Sequence, residues 1–270
     1  MSRAGMKFRT IETLFAILIV FLVSCPDIEA WVGPSAKAAV AVIKPLINHS
    51  RALPEEEVVR LAQLGRKTGG TKEIGQQLGK MRLPTAVLED TYMRVAIQQS
   101  KISRTEAEGM IFHLHGVPGF QTTLRKIVGN SDIKTAGHLN ELRIADQASQ
   151  NGFRVKGIGM SFVDANKASP TDIDIILKRK DKVFAIEAKD YLSTTPIPLD
   201  KFRADMVTLN EYAMQNSGVR VVKVFTITNQ PNDELTKKLL FKEAQRHEIE
   251  LIYGSPEMQV LQLQQLEKIL

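Results

Sequence analysis

Four charged residues in two short apolar segments form the most informative pattern of the chain. Asp172 and Asp174 alternate with isoleucines in the first segment, and Glu187 and Lys189 alternate with apolar residues in the second. Because successive side chains of a β-strand point to opposite faces of the sheet, each pair is expected to lie on one face of its strand. The chemistry available to such a set is the binding of a cation by carboxylate oxygens.

A tight turn between the two segments predicts an antiparallel hairpin. In the expected register, Asp174 lies beside Glu187 and Asp172 lies beside Lys189, at the short separation of directly opposed side chains. Two facing carboxylates repel each other, and a bound cation compensates for that repulsion. Mg²⁺ suits this position because it takes oxygen ligands and keeps water molecules for a phosphate substrate. The alternative interpretation is a solvent-facing hairpin whose salt bridges contribute well under about 1 kcal/mol per pair.

The segments around these strands predict a domain of mixed α+β or α/β class, in which helices cover a mixed sheet. Helical and alternating apolar patterns predict helices over 137–150, 199–215 and 234–246, and strands over 153–158, 171–177, 183–189, 220–228 and 248–253. The expected order of elements is therefore αβββαβαβ.

The spacing and context of the charged residues resemble the PD-(D/E)xK nuclease superfamily, which has the restriction-endonuclease-like fold. Asp174 is followed thirteen residues later by the triplet Glu187-Ala188-Lys189, and each part stands in an apolar strand. The resemblance covers roughly residues 136–253, and the expected element order agrees with the αβββαβ core of that family. The family includes restriction enzymes, Holliday-junction resolvases and several secreted nuclease toxins.

Two further features carry this resemblance. Residues 169–172 are a loose form of the "PD" portion of the motif. Because the family places its aspartate at the start of an apolar strand run, Asp174 is the first choice for that residue and Asp172 the second. Glu141, on the helix before the first strand, matches an additional acidic residue found in many members.

The resemblance implies a Mg²⁺-dependent endonuclease, with Mn²⁺ as a substitute, that hydrolyses phosphodiester bonds in DNA or RNA, DNA being favoured. Asp174, Glu187 and the carbonyl of Ala188 would bind the ion, and Glu141 would bind a second ion or position the first. Lys189 would orient the attacking water and offset charge in the transition state. A homodimer is also implied, because many members dimerise to cut two strands.

Four residues are candidate contacts to the nucleic acid, namely Asp172, His138, Tyr191 and Arg203. His138 lies one helical turn before Glu141, where helix capping or packing is the alternative role. Tyr191 can equally be a buried ring with a hydrated hydroxyl. These four residues are selected from their positions in the sequence.

Residues 1–30 are interpreted as a targeting segment. Basic residues precede an apolar run over 14–23, which is shorter than the roughly 20 residues of a membrane-spanning helix and is typical of a secretory signal. Leu22–Cys25 also resembles the bacterial lipoprotein signal, in which a lipidated Cys25 would attach the protein to a membrane. Cleavage after Ala30, an uncleaved anchor and a mis-assigned start are the alternatives. We expect an exported protein that is periplasmic, membrane-anchored or secreted.

Composition and charge narrow the remaining classes of protein. The chain has 270 residues, of which 43% are hydrophobic and 24% charged, and this excludes a collagen, a disordered tail and a multi-span membrane protein. The single cysteine excludes a disulfide framework and a Cys-rich zinc module. The net charge of +6 resides in the first 135 residues, which hold 18 basic and 12 acidic side chains, and it favours an anionic partner.

Three parts of the chain are predicted from these patterns. The targeting segment over 1–30 is followed by a small all-helical region over 31–135 and by the nuclease-like domain over 136–270. Two other functions fit this organisation. One is a secreted toxin or effector nuclease whose helical region serves delivery or is bound by an immunity-type protein inhibitor. The other is a catalytically inactive nuclease-fold adaptor whose helical half binds a protein partner.

Overall fold

The computed structural model describes residues 53–68, 71–130, 132–163 and 170–269, and residues 53–270 belong to one compact unit. The targeting segment with Cys25 lies outside the described residues, as does Ser169 of the PD-like stretch. In the part of the chain that is described, no helix is both long and apolar enough to cross a membrane.

Helices precede the sheet, three consecutive strands follow, and helices and strands alternate after the third strand. The first described elements are α1 (Glu55–Thr68), α2 (Thr71–Lys80), α3 (Thr85–Gln98), α4 (Arg104–Leu114), α5 (Phe120–Gly129) and α6 (Asp132–Gln150). They are followed by β1 (Arg154–Phe162), β2 (Thr171–Arg179), β3 (Lys182–Lys189), α7 (Leu199–Gln215), β4 (Arg220–Ile227), α8 (Glu234–Arg246), β5 (Glu250–Tyr253) and α9 (Pro256–Ile269). The predicted class, a mixed α+β protein with a helical region before the sheet, is confirmed at this level.

The five strands form one mixed sheet in the order β1-β2-β3-β4-β5. The β1, β2 and β3 strands are antiparallel, whereas β4 and β5 run parallel to β3. The register predicted for the β2–β3 hairpin is found from Ile175, opposite Ile186, to Arg179, opposite Lys182. Lys180 in the connecting turn has a φ of 53°, the left-handed conformation that a two-residue hairpin turn requires.

Three elements differ from the prediction. α6 begins at Asp132, five residues before the predicted start. β1 has a bulge between Val155 and Gly157 and continues to Phe162, which pairs with Thr171 of β2. The helix α9 is absent from the predicted order, since glutamines interleave its apolar residues and weaken the helical pattern. Buried Val260 and Leu263 nevertheless anchor this helix in the core.

Two helices pack on the central strands of the sheet. The α6 helix contacts β1, β2 and β3, and α7 contacts β2, β3 and β4. Phe202 and Met206 of α7 lie in one buried cluster with Ala185 of β3 and Phe225 of β4. The rings of Phe202 and Phe225 meet edge to face with their centroids 4.6 Å apart. Such burial of large side chains holds α7 in one position on the sheet.

The helical region is joined to β1 through the loop between α4 and α5. The amide of Ile158 donates to the carbonyl of Pro118 over 2.9 Å. Gly119 follows with a φ of +86°, and a Cβ atom at this residue would lie 1.7 Å from the carbonyl oxygen of Ile158. The predicted division at 135/136 lies within α6, which contacts α4 and α5 as well as the sheet, and the division stays a prediction.

We expect Gly119→Ala to lower the free energy of unfolding by about 3–5 kcal/mol, because the new methyl group must push the loop away from β1. Gly116→Ala is the matched control, since Gly116 has a φ of +74° but open space around its Cβ position. That variant should lose only about 1–2 kcal/mol, the cost of the left-handed conformation. Urea denaturation measures both values. Equal losses in the two variants would contradict the close contact with Ile158.

Candidate active site

Asp174, Glu187 and Lys189 lie together at the open end of the β2–β3 hairpin, opposite its turn. The Lys189 ammonium contacts the Glu187 carboxylate directly, and its Nζ atom is 3.9 Å from Oδ2 of Asp174. Glu187 is 6% exposed, and the side chains of Lys189 and Asp174 are 14% and 16% exposed. The three charged groups are therefore largely removed from water.

The backbone fixes the orientation of Asp174. The hydrogen-bonded ladder between β2 and β3 reaches Ile175 and Ile186. Beyond it, the amide of Ala188 donates to Oδ2 of Asp174 over 2.8 Å. This bond holds one carboxylate oxygen at the end of the hairpin and leaves the other oxygen for a different contact.

The predicted pairing of Asp172 with Lys189 is wrong. Asp172 is exposed and lies opposite Ser161 of β1, because the ladder between β2 and β3 ends before it. The carboxylates within 4 Å of Lys189 in the described residues are those of Asp174, Glu187 and Asp205. Of the two candidates for the family aspartate, Asp174 is thus the one in the cluster.

Asp205 of α7 also belongs to the cluster, although it is not among the site residues predicted from the sequence. Its Oδ2 atom lies 3.2 Å from Nζ of Lys189. The available signal is that Asp205 stands in the apolar stripe of α7, between the buried residues Phe202, Met206 and Leu209. These positions recur at the i, i+3, i+4 and i+7 spacing of a core-facing helix surface, so Asp205 is a charged residue on that surface.

Glu141 and His138 form a pair on α6 near the same cluster. Nδ1 of His138 lies 2.9 Å from Oε1 of Glu141, whose side chain is 9% exposed. The charge of Glu141 contributes to the raised pKa of Asp174, so the two carboxylates are close enough to repel each other. His138 thus holds a carboxylate beside the site, and a contact to a nucleic acid stays a prediction.

The electrostatics of the cluster are dominated by an excess of negative charge. Burial raises the pKa of Asp174 to about 6, and the charge of Glu141 adds to this, while Lys189 and the Ala188 amide oppose it. Burial also raises the pKa of Glu187 well above its usual value, assisted by the charge of Asp174. One ammonium does not compensate for the carboxylates around it.

Lys189 is a fixed positive charge at neutral pH. Burial alone lowers the pKa of its ammonium, but Glu187, Asp174 and Asp205 outweigh burial and raise the pKa above its usual value. The neighbouring carboxylates thus favour the protonated form of Lys189, which has no lone pair with which to accept a proton. It can attract an anionic group and stabilise negative charge that develops nearby.

The donor atoms of the cluster suit a hard divalent cation. Asp174, Glu187 and Glu141 provide only oxygen ligands, which Mg²⁺ and Mn²⁺ prefer. The pKa values of Asp174 and Glu187 are raised, so an added positive charge would stabilise the ionised forms of these two carboxyl groups. Among the described residues, no three His, Cys, Asp or Glu side chains are already arranged around a common metal position. The carbonyl of Ala188 as a ligand stays a prediction.

Tyr191 and Arg203, two other candidate contacts to the nucleic acid, make contacts within the fold. Tyr191 packs against the buried cluster of α7, and its backbone carbonyl accepts from Nδ2 of Asn229 over 2.8 Å. Arg203 contacts Glu243 at 3.3 Å and Asp200 at 3.5 Å. These contacts account for the positions of both side chains, and their roles toward a nucleic acid stay predictions.

We expect Asp174→Asn to raise the free energy of unfolding at pH 8 by about 1–3 kcal/mol in EDTA. Because the folded-state pKa of Asp174 is raised to about 6, the native protein binds this proton more tightly than the unfolded chain. Stability from this group is therefore complete below about pH 4 and falls as the pH rises through about 6. The variant should lose that fall in denaturation curves recorded from pH 4 to pH 8. Asp172→Asn is the control, and a similar gain in it would contradict the assignment.

Comparisons of the chain with protein-family models, with curated proteins and with solved structures found no match. The resemblance to the PD-(D/E)xK nucleases thus rests on the motif residues Asp174, Glu187, Ala188 and Lys189, and on the order of the elements that hold them.

Proposed function

We propose that the protein is a metal-dependent endonuclease that hydrolyses phosphodiester bonds, with DNA as the favoured substrate. The observation that carries this proposal is the buried cluster of Asp174, Glu187 and Lys189 at the open end of the hairpin. A cluster that only stabilised the fold would balance its charges. Here ionisation of two carboxylates is unfavourable, and such strain is typical of functional sites.

The described architecture supports the finer fold assignment, which is part of the proposal. A long helix, α6, precedes three antiparallel strands, and α7 leads to β4, which is parallel to β3. This order of elements agrees with the αβββαβ core that the resemblance implies. The motif residues stand on the two central strands of this core, and Glu141 stands on its first helix.

Each residue of the cluster has a role that its chemistry allows. Asp174, Glu187 and the carbonyl of Ala188 would hold Mg²⁺, with Glu141 beside them. The bound ion would supply a Lewis acid that polarises a phosphate and lowers the pKa of a water molecule. Lys189, which is held in its charged form, would orient the attacking water and offset negative charge on the phosphorane-like transition state.

The targeting segment extends the proposal to an exported enzyme. Such an enzyme would meet nucleic acid outside the cytoplasm, either free or attached to a membrane through Cys25. A toxin-type nuclease with an inhibitor protein and a homodimer are compatible arrangements of the same active site. The inactive adaptor is the competing proposal, and loss of a single carboxylate distinguishes it from an enzyme.

We expect Glu187→Gln to lower cleavage by at least about 100-fold, because it removes one metal-binding charge at nearly constant volume. The assay is incubation with plasmid, linear DNA and RNA, in Mg²⁺ and in EDTA. Asp181→Asn, in the exposed turn at the other end of the hairpin, is the matched control and should cleave normally. Cleavage by Glu187→Gln at the wild-type rate would remove Glu187 from the site. Absence of cleavage by the wild-type protein would favour the adaptor.

We expect Lys189→Ala to keep its affinity for Mg²⁺ or Mn²⁺ while its turnover falls by roughly 10²–10³. A protonated amine offers no lone pair to a metal, so the main loss should be in the orientation of the attacking water and in the stabilisation of the transition state. Loss of the ammonium also removes its repulsion of a metal ion and its opposition to the raised pKa values of Asp174 and Glu187, two effects of opposite sign on metal affinity. Asp174→Ala should lose metal affinity and turnover together. Calorimetric titration and the cleavage assay measure the two properties separately. Equal loss of metal affinity in both variants would show that the roles are wrongly assigned.

A further inference from the structure

Lys189 lies between two carboxylates of the β2–β3 hairpin and one carboxylate of the helix α7. On one side it contacts Glu187 and Asp174 of the hairpin, and on the other it lies 3.2 Å from Oδ2 of Asp205 on α7. Its ammonium is also 5.9 Å from the centroid of the Phe225 ring, within the range of a cation–π contact. The ammonium is therefore held at a boundary between the sheet and the helix.

The position of Asp205 is fixed independently of the hairpin carboxylates. Its neighbours Phe202, Met206 and Leu209 are buried in the cluster that includes Phe225. The Oδ2 atom of Asp205 is itself buried and makes no hydrogen bond among the described residues. The contact that this oxygen does make is the ion pair with Lys189. A buried carboxylate oxygen whose ion pair is with Lys189, and which has no hydrogen-bond partner among the described residues, is placed to hold the ammonium.

The present inference rests on the proposed function. If that function is correct, Asp174 and Glu187 of the hairpin have a different role from Asp205 of α7. Asp174 and Glu187 would turn their oxygens toward a bound cation and would share Lys189 less. Asp205 would then remain as the anion beside the ammonium. Without it, a lysine side chain with four rotatable bonds would sample several positions.

We propose that Asp205 is a positioning residue for catalysis, which holds the ammonium of Lys189 beside the reacting phosphate and does not bind the metal. The helix α7 thus contributes to the active site through an ion pair with β3. Asp205 thus has a different role from Asp174 and Glu187, although all three carboxylates lie within 4 Å of the same ammonium.

The test compares Asp205→Asn with the wild-type protein in cleavage and in metal binding. We expect kcat to fall by about 10- to 100-fold, the usual effect of removing a group that orients a reacting side chain. KM should stay within about threefold, because substrate binding is not changed. Calorimetric titration with Mn²⁺ should give an affinity within about threefold of the wild-type value, in contrast to Asp174→Ala.

Two further variants distinguish positioning from a structural role. Asp205→Glu keeps the charge at a slightly different place and should restore kcat to within about fivefold of wild type. Glu211→Gln, farther along α7, where Glu211 accepts from Gln215 over 2.9 Å, should cleave normally. If Asp205→Asn does not fold, Asp205→Ser removes the same charge from a smaller side chain and carries the same expectation.

The outcomes separate this inference from the proposed function. Wild-type cleavage with an unchanged kcat in Asp205→Asn would overturn the inference and leave the nuclease proposal intact. Loss of Mn²⁺ affinity in Asp205→Asn would make Asp205 a metal ligand and would also overturn it. No rescue by Asp205→Glu, together with equal loss of kcat and thermal stability, would indicate a structural role. Absence of cleavage by the wild-type protein would overturn both proposals.

Discussion

The ammonium of Lys189 neutralises part of the negative charge that two strands and a helix bring together. The packing of these carboxylates at the open end of the hairpin depends on this positive charge. Asp174, Glu187 and Asp205 all lie within 4 Å of it. Burial of these carboxylates would be unfavourable with no cation nearby, and the pKa values of Asp174 and Glu187 are raised although Lys189 opposes the shift. Ionisation of both carboxylates therefore costs stability, and the proposed metal site would offset that cost.

The scaffold tolerates this cost because the surrounding elements are firmly packed. The α7 helix is fixed by Phe202 against Phe225, and α6 contacts the three antiparallel strands, two of which, β2 and β3, carry residues of the site. The loop at Gly119 then joins the helical region to β1 by a backbone hydrogen bond to Ile158. Since α6 also contacts α4 and α5, the helical region supports the helix that carries Glu141.

Local patterns predicted the hairpin well, because strict alternation and a short turn determine both the faces and the register of two adjacent strands. They predicted the pairing of Asp172 with Lys189 wrongly, since alternation does not show where two strands separate. The apolar neighbours of Asp205 mark it as a charged residue on a core-facing helix surface, but they do not identify its partner. A carboxylate in an apolar helical stripe acquires a partner only when α7 packs on β3, and that contact is long-range. The weak pattern of α9 was likewise overcome by burial of Val260 and Leu263 in the folded protein.

Proton release on metal binding tests the central claim most directly. Mg²⁺ or Mn²⁺ should be titrated into the wild-type protein at pH 6 and pH 8, in buffers with different ionisation heats. Because the pKa of Asp174 is raised to about 6 and that of Glu187 is raised well above its usual value, we expect binding at pH 6 to displace protons from the carboxylates. We predict measurable proton release at pH 6, less release at pH 8, and tighter binding at the higher pH. Binding with no release of protons at pH 6, or no binding at either pH, would contradict a metal site built from Asp174 and Glu187.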